Sequence, residues 1–343
     1  MMKEHAQDKK IEKELPFQKI KRTILVKKEA DTDPKYGGDP NNRPMDVLID
    51  YGIINIDKPR GPTSHQVSDY LKRILQVSKA GHSGTLDPNV TGVLPTATGR
   101  GTRVVDALLK AGKEYVGIMH LHHEVDEKEL REVLVEFTGK IKQLPPIKSA
   151  VKRQERYRKI YYFDIIEYKN QDVLFRVGCQ AGTYIRKLCH DIGKRLKVGA
   201  NMSELRRTKA GPFNESTAVS LQDVADAFWY YKNEGKETYL RSLIQPIEKA
   251  VEHLPKIWVF DTTVDTMCHG ADLKVPGISK VETDIQLDDK VAVLTLKNEL
   301  VALGTAKMIS SDIIKSEKGL AVVTEKVFML PGTYPKVQMR KVN

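Results

Sequence analysis

Cysteine is scarce: Cys179, Cys189 and Cys268 are the only three in 343 residues. An odd, widely spaced set builds no disulfide framework and matches no metal-ligand pattern, which favours a reducing interior. Long apolar runs are missing too. Nothing approaches roughly eighteen consecutive apolar residues, so no transmembrane helix is expected. The N-terminus is charged from Lys3 onward and lacks an apolar h-region, so a cytoplasmic protein without a secretory signal is expected. No HExxH or CxxC spacing occurs. His120, His122, His123, Glu124 and Asp126 do crowd together, but neighbours on a strand face opposite ways, so no metal site is expected there.

Positive charge, by contrast, is abundant. Lys and Arg number 56 against 45 Asp and Glu, a formal charge of +11. That balance favours a polyanionic partner. Nucleic acid ranks ahead of a membrane surface, because no basic amphipathic stretch stands apart. Basicity proves no specific contact, so the motifs must decide.

Residues 1–48 are lysine-rich, then polar with Pro34, Gly37, Gly38, Pro40 and Pro44, and read as an arm rather than a domain. Residues 49–252 intersperse helices and strands without regular alternation, so an α+β fold with a mixed or antiparallel sheet is expected. Its first strand carries Ile53, Ile54 and Ile56. Ser64 is the expected cap of a helix burying Val67, Tyr70, Leu71, Ile74 and Leu75. A second helix places Val104, Val105, Leu108 and Leu109 on one face and ends at Gly112. Asp126 caps another. Alternation at Val173, Phe175, Val177 and Cys179 marks a strand, a helix runs on from Thr183, and Ser220 starts one more. Residues 253–335 are short β-like runs, with Val291–Leu296 and Leu300–Leu303 as a hairpin, and read as a small β-barrel. Deleting from about Pro255 onward is expected to harm RNA binding more than the fold of the preceding domain.

The most informative stretch is Gly81-His82-Ser83-Gly84-Thr85-Leu86-Asp87-Pro88. Its glycines allow a sharp turn, and Pro88 pushes Asp87 out of the helical region onto an unpaired stretch. A loop-held carboxylate between apolar anchors is how a nucleophile or general base is presented, although Asp-Pro also fits a plain turn cap. Four more segments carry candidate chemistry. Lys113-Glu114-Tyr115 opens a strand, or is an ordinary edge strand with Tyr half buried. Gly182-Thr183-Tyr184-Ile185-Arg186 joins a strand to a helix. A cation in that first turn opposes the helix dipole, which hints at a partner carboxylate or leaves a solvated surface arginine. Glu204-Leu205-Arg206-Arg207-Thr208, ahead of Gly211-Pro212-Phe213, is a basic strand or a solvated edge. Leu144-Pro145-Pro146-Ile147-Lys148 through Lys159 is a stiff positive loop suited to a phosphate backbone, or a flexible surface loop.

In this order the segments resemble the TruB/dyskerin family of RNA pseudouridine synthases, from about Tyr51 to Pro331. The octapeptide with Thr91-Gly92-Val93-Leu94-Pro95 is similar to the family's signature around its catalytic aspartate. Asp57-Lys58-Pro59-Arg60-Gly61-Pro62-Thr63-Ser64 matches its supporting Lys-Pro motif, and the segments at Tyr115, Tyr184 and Leu205 match its other active-site motifs. Within the family the chain looks most like the archaeal dyskerin branch. Ile147-Lys148-Ser149-Ala150-Val151-Lys152-Arg153 resembles that branch's thumb loop, and His269-Gly270-Ala271-Asp272-Leu273-Lys274-Val275-Pro276-Gly277-Ile278 the opening of its PUA domain. The lysine-rich tail typical of eukaryotic dyskerins is not seen before Asn343. Ser83 and Gly101 stand where archaeal relatives often carry Gly and Ala, and Gly101 is expected to weaken a helix start slightly.

The resemblance implies a pseudouridine synthase fold with a C-terminal PUA domain, the arm packing on the latter. It implies a cofactor-free isomerisation of uridine in RNA, chiefly rRNA and possibly tRNA. Asp87 would be the nucleophile or proton acceptor, with Arg186 holding it ionised and Tyr115 stacking on the uracil. Tyr184 and Leu205 would pack around the site, His82 would touch the flipped nucleotide, and Lys58 and Pro59 would support the loop. Lys148, Lys152, Arg153, Gly270 and Lys274 would bind RNA. The implied partners are a box H/ACA guide RNA, the substrate RNA and accessory proteins of the small Nop, Gar and kink-turn-binding types. A stand-alone tRNA T-loop synthase and an inactive RNA scaffold remain open alternatives. A eukaryotic homologue would be nucleolar.

Overall fold

The computed structural model describes residues 13–145 and 154–336. The chain divides into two compact units: Ile118–Met202 together with the stretch up to Ile20, and Lys21–Gly117 together with everything from Ser203. The larger unit holds a mixed sheet. Strand β1 (Gly52–Lys58) is followed by helix α1 (Ser64–Ile74) and strand β2 (Thr91–Thr98). Strand β3 (Lys113–Leu121) leaves this unit at Gly117, and β4 (Ala200–Ala210) returns to it at Ser203. Between them, in the smaller unit, lies helix α2 (Ile185–Arg195). β1 and β2 pair antiparallel with Ile53 opposite Ala97, whereas β2 and β4 pair parallel through Gly92 and Arg207. The expected α+β class with a mixed sheet is what the chain adopts.

Local chemistry explains most element ends. Thr63 caps α1, its Oγ1 accepting from the Gln66 amide at 3.2 Å while Gln66 Oε1 accepts from the Thr63 amide at 2.8 Å. Ser64, expected as the cap, is instead the first helical residue and fully buried. Tyr70, expected in the core, is 41% exposed. The second expected helix is split. Gly99–Val104 forms a 3-10 turn and only Val105–Leu109 is α-helical, so Val104 and Leu108 are buried while Leu109 faces solvent. The 3.6-residue period does not run unbroken across that junction. Gly101 belongs to the 3-10 turn, where a Cβ would sit 3.1 Å from the Gly52 carbonyl oxygen. Asp126 and Ser220 cap their helices as the sequence suggests.

In the smaller unit, Arg156–Lys169 pairs antiparallel with Asp172–Cys179 and with Gly139–Gln143. Val173, Phe175, Val177 and Cys179 are buried in alternation, and Leu188, Cys189 and Ile192 of α2 have no exposure. All three cysteines are free and buried.

The C-terminal strands form a seven-stranded sheet that includes the arm strand Ile24–Val26, paired antiparallel with Ile278–Glu282. Lys256–Val259 lies between Ile278–Glu282 and Lys290–Thr295, the latter pairing with Leu300–Ala306 as a hairpin. Its own core gathers Ile257, Val264, Val281, Val293, Val301 and Ile313. A second core is shared. Trp258, Leu294, Leu300, Leu303 and Phe328 pack with Tyr51, Ile53, Val93, Val104, Leu108 and Phe213. The expected easy removal of the barrel is therefore not what the packing supports, because its outer face is an inner face of the neighbouring domain. Among the described residues, no helix is long and apolar enough to cross a membrane.

Candidate active site

β1 ends at Lys58, whose side chain is fully buried. Its ammonium donates to the carbonyl oxygens of Pro59 at 2.9 Å, Pro88 at 3.0 Å and Val90 at 2.9 Å. Pro88 and Val90 directly follow Asp87 and Pro59 directly follows β1, so one buried cation ties the downstream foot of the loop to the end of that strand. Burial lowers the Lys58 pKa, Asp87 opposes that shift, and Arg207 adds to it. Ser64 fastens the other side of the loop. Its Oγ accepts the Leu86 amide at 2.8 Å and donates to the Leu86 carbonyl at 3.2 Å. Leu86 and Val90 are 4% and 3% exposed, while Asp87 between them faces solvent. The Val90 amide donates to the Asp87 carbonyl at 3.0 Å, completing a tight turn. The carboxylate is thus presented on a short arch with both feet buried.

His82 lies upstream on the same loop. Its Nδ1 accepts the Gly84 amide at 3.3 Å, and its ring meets His65 edge-on at 6.1 Å between centroids. Burial, then His65 and Arg207, pull its pKa down to about 4, so the ring is neutral at pH 7. A neutral imidazole accepts or donates hydrogen bonds to a nucleotide without adding charge. The Oγ of neighbouring Ser83 is buried without a hydrogen-bond partner among the described residues.

β4 places two arginines on opposite faces, as adjacent strand residues must be. Arg206 grips Asp57 through two bonds of 2.9 Å, and its Nε donates to Glu215 at 2.5 Å. Arg207 points inward beside Leu205; they are 1% and 9% exposed. Its Nε donates to the Val93 carbonyl at 2.7 Å and its Nη2 to the Gly84 carbonyl at 3.2 Å. The Tyr115 side chain pushes its pKa up against the larger downward pull of burial. The sequence had left this arginine on a solvated edge. The available signal was its two-residue spacing from Leu205, which puts both on one face.

Tyr115 is half-buried on β3, next to buried Lys113 and Glu114. Lys113 donates to the carbonyls of Leu108, Leu109 and Ala111 at 2.8, 3.0 and 2.8 Å, tying β3 to the preceding helix end. Glu114 accepts from Thr208 Oγ1 at 2.7 Å. These buried ties exclude the ordinary edge strand. Lys58, His82, Asp87, Tyr115, Leu205 and Arg207 thus share the larger unit.

Tyr184 and Arg186 lie in the smaller unit, where Tyr184 is the N-cap of α2 and Arg186 is an exposed residue of its first turn. Gln143 braces this cap: its Oε1 accepts the Tyr184 amide at 3.0 Å and its Nε2 donates to the Tyr184 carbonyl at 3.1 Å. Pro59 is exposed beside the Lys58 anchor. Gly270 and Lys274 are exposed on the C-terminal domain, Gly270 with φ +89°. Lys148, Lys152 and Arg153 lie outside the described residues.

Among the described residues, no group of His, Cys, Asp and Glu is arranged to hold a metal ion. His120 Nδ1 instead meets Asp172 at 2.8 Å, and His122 Nε2 meets Asn201 at 3.1 Å. A cavity of about 570 Å³ lined by Ala107, Leu109, His253, Leu254 and Leu303 borders no residue of the Asp87 loop.

Comparison with known proteins identifies the family. Residues 72–185 match the TruB family pseudouridylate synthase N-terminal domain, and 186–252 the tRNA pseudouridylate synthase B C-terminal domain. Residues 12–68 match the DKCLD (NUC011) domain and 255–328 the PUA domain. A protein of Methanopyrus kandleri named probable tRNA pseudouridine synthase B is 56% identical over 325 residues, 95% of this chain and 96% of that one. The crystal structure of a Cbf5-Nop10-Gar1 complex is similar with TM-score 0.90 and 55% identity, over 94% of this chain and 98% of that one. A structure of an H/ACA RNP bound to a substrate RNA containing 2'-deoxyuridine is similar with TM-score 0.89 and 52% identity, over 95% of this chain and all of that one. With a buried-footed aspartate loop and family matches along nearly its whole length, the chain belongs to the TruB family of pseudouridine synthases, RNA isomerases, and carries DKCLD and PUA domains.

Proposed function

We propose that the chain is the catalytic subunit of an H/ACA-type ribonucleoprotein, isomerising uridines, chiefly in ribosomal RNA, that a guide RNA selects. The observation that carries this reading is the core shared between the PUA-containing sheet and the catalytic domain, with the arm strand added to that sheet. Two RNA-binding surfaces fixed to one another let a single guide engage both, which raises effective concentration without new contacts. The likeness to a solved H/ACA RNP supports it.

In this reading Asp87 attacks the sugar or accepts its proton, the C–N glycosidic bond breaks, and the uracil turns while held. It rejoins the ribose through carbon-5 as Asp87 leaves the sugar or returns its proton, and the proton displaced from carbon-5 leaves, with nitrogen-1 taking one up. No group is gained or lost. Tyr115 stacks on the base, Tyr184 and Leu205 bound it, and His82 meets the flipped nucleotide. The counter-charge role of Arg186 is supported by the family motif. Extruding the base costs roughly a few kcal/mol, less at an unpaired uridine. Gly270 and Lys274 would contact guide RNA, and small Nop-type, Gar-type and kink-turn-binding proteins would complete the particle.

The name carried by the Methanopyrus kandleri relative favours a second reading, a stand-alone tRNA synthase. Reconstitution separates the two. Tritium release from carbon-5 of a ribosomal RNA fragment is measured with accessory proteins, with and without guide. Guide-dependent release that Asp87→Asn abolishes is expected. Equal release in both tubes overturns the guided reading.

A further inference from the structure

We propose that the smaller unit carries a seat for RNA phosphodiesters at the C-terminal end of α2, built by His190, Lys194 and Lys197 against His122. These four side chains are exposed and, with Gly199 and Ala200, line a cavity of about 340 Å³. Every polar side chain of that lining is histidine or lysine, and no carboxylate shares it. Other cations of α2 are neutralised: Lys187 pairs with Asp191, and Arg195 with Glu136 at 2.6 Å. Among the described residues, no carboxylate pairs with His190, Lys194 or Lys197. Arg186, His190 and Lys194 stand four residues apart, on one face of the helix, and all three are exposed. Eight residues of helix span about 12 Å, so this stripe leads from the first turn into the cavity. That direction rests on the reading of Arg186 given above, whereas the seat itself rests only on the chain acting on RNA.

Two features mark the cavity as built. The His122 amide donates to the Gly199 carbonyl at 3.1 Å, and His122 Nε2 meets Asn201 at 3.1 Å. Gly199 has φ +78°, and a Cβ there would come 2.6 Å from His122 Nδ1, so the ring takes its place only over a glycine. Lys197 has φ +61°, the left-handed region that Gly or Asn fills just past a helix end and that strains a lysine. The helix dipole accounts for cations near a C-terminus. It accounts neither for a strained lysine nor for a histidine brought from the end of β3. A phosphate, whose oxygens accept from several donors at once, gives all of them one partner.

The test measures binding of a labelled ribosomal RNA fragment, and separately of a guide RNA, to the full chain across a salt series. Lys194→Gln/Lys197→Asn removes two charges, and Asn accepts the left-handed backbone, so the melting temperature should hold or rise. Affinity at moderate salt should fall by about 4- to 15-fold, and the log–log salt slope should shrink by about 0.7–1.4, the scale of one or two single-strand phosphates. Loss on the fragment places the substrate strand in the seat, and loss on the guide alone places the guide there; either supports the proposal. Lys194→Arg/Lys197→Arg keeps both charges and should keep the slope. Lys72→Gln/Lys307→Gln removes the same charge at lysines already paired with Asp69 and Asp288, and should leave the slope nearly unmoved. An unmoved slope on both RNAs in the first variant, or an equal loss in this paired-lysine control, overturns the proposal. So does an equal loss in Lys194→Arg/Lys197→Arg, which would make shape rather than charge responsible. Turnover does not enter the readout, so an error in the roles of Asp87 or Arg186 leaves the outcome untouched.

Discussion

Ser64 and Leu86 exchange two hydrogen bonds through one hydroxyl, the Leu86 amide donating to Ser64 Oγ at 2.8 Å and Ser64 Oγ donating to the Leu86 carbonyl at 3.2 Å. The residue immediately before Asp87 is thereby fixed to the first turn of α1. Ser64→Ala leaves a buried amide and carbonyl without that partner, a loss of about 1–3 kcal/mol. Urea unfolding should show that loss, and single-turnover rates should fall as well, because the arch under Asp87 loosens. An unchanged rate beside a lowered stability would confine Ser64 to holding the fold.

Lys58→Met should do more damage. It strips a donor from three carbonyls at once, two of them just downstream of Asp87 at Pro88 and Val90. Turnover is expected to fall at least about 100-fold, the scale for a displaced reacting group. Lys58→Arg should rescue poorly, since a planar fork does not fit a socket that converges on one nitrogen. Single-turnover rates of both variants, compared with their RNA affinities, check this.

Acid should weaken the fold through His253. This ring is 9% exposed, and its Nε2 lies 3.1 Å from the Ala107 carbonyl. Burial chiefly, with Lys113, Lys256 and Arg22 adding to it, lowers its pKa from 6.5 to about 4. Between those values the unfolded ring binds a proton and the folded one does not, so stability rises with pH across that window. The contribution is complete above about pH 6.5 and is lost as pH falls toward 4, a span of roughly 3 kcal/mol. His82 titrates in the same direction. Urea midpoints from pH 4.5 to 7.5 should climb, and His253→Gln should flatten the climb.

Truncation before Pro255 should destabilise what remains. Removing Trp258, Leu294, Leu300, Leu303 and Phe328 exposes Tyr51, Ile53, Val93, Val104 and Leu108 together. At about 1.5–3 kcal/mol for each fully buried large side chain, several such losses approach the whole stability of a domain. The truncated chain is expected to aggregate, or to melt well below the full chain in calorimetry. An unshifted melting temperature would show that the shared core adds little.

The fold class and the order of elements were legible because they depend on local pattern. Alternation at Val173, Phe175, Val177 and Cys179 makes a strand wherever the chain places it, and Asp126 and Ser220 cap helices by bonds to their own neighbours. Periodicity failed where local geometry changed within one segment, as at the 3-10 turn Gly99–Val104, and where Thr63 competed with Ser64 for a single cap. The Asp87 loop stood out because Gly, Pro and Asp at fixed spacing constrain their own backbone.

The sequence by itself determined which residues could carry chemistry: an aspartate on a Gly-Pro loop, tyrosines and arginines at strand and helix ends, and an excess of positive charge. Only the tertiary structure decided what holds them. Lys58 finds its acceptors about thirty residues away, Arg207 reaches back over a hundred to Gly84 and Val93, and the C-terminal sheet shares apolar surface with β1 and β2. The physical reason is that a buried polar group is satisfied by whatever acceptor the fold brings within about 3 Å, and sequence distance does not enter that condition.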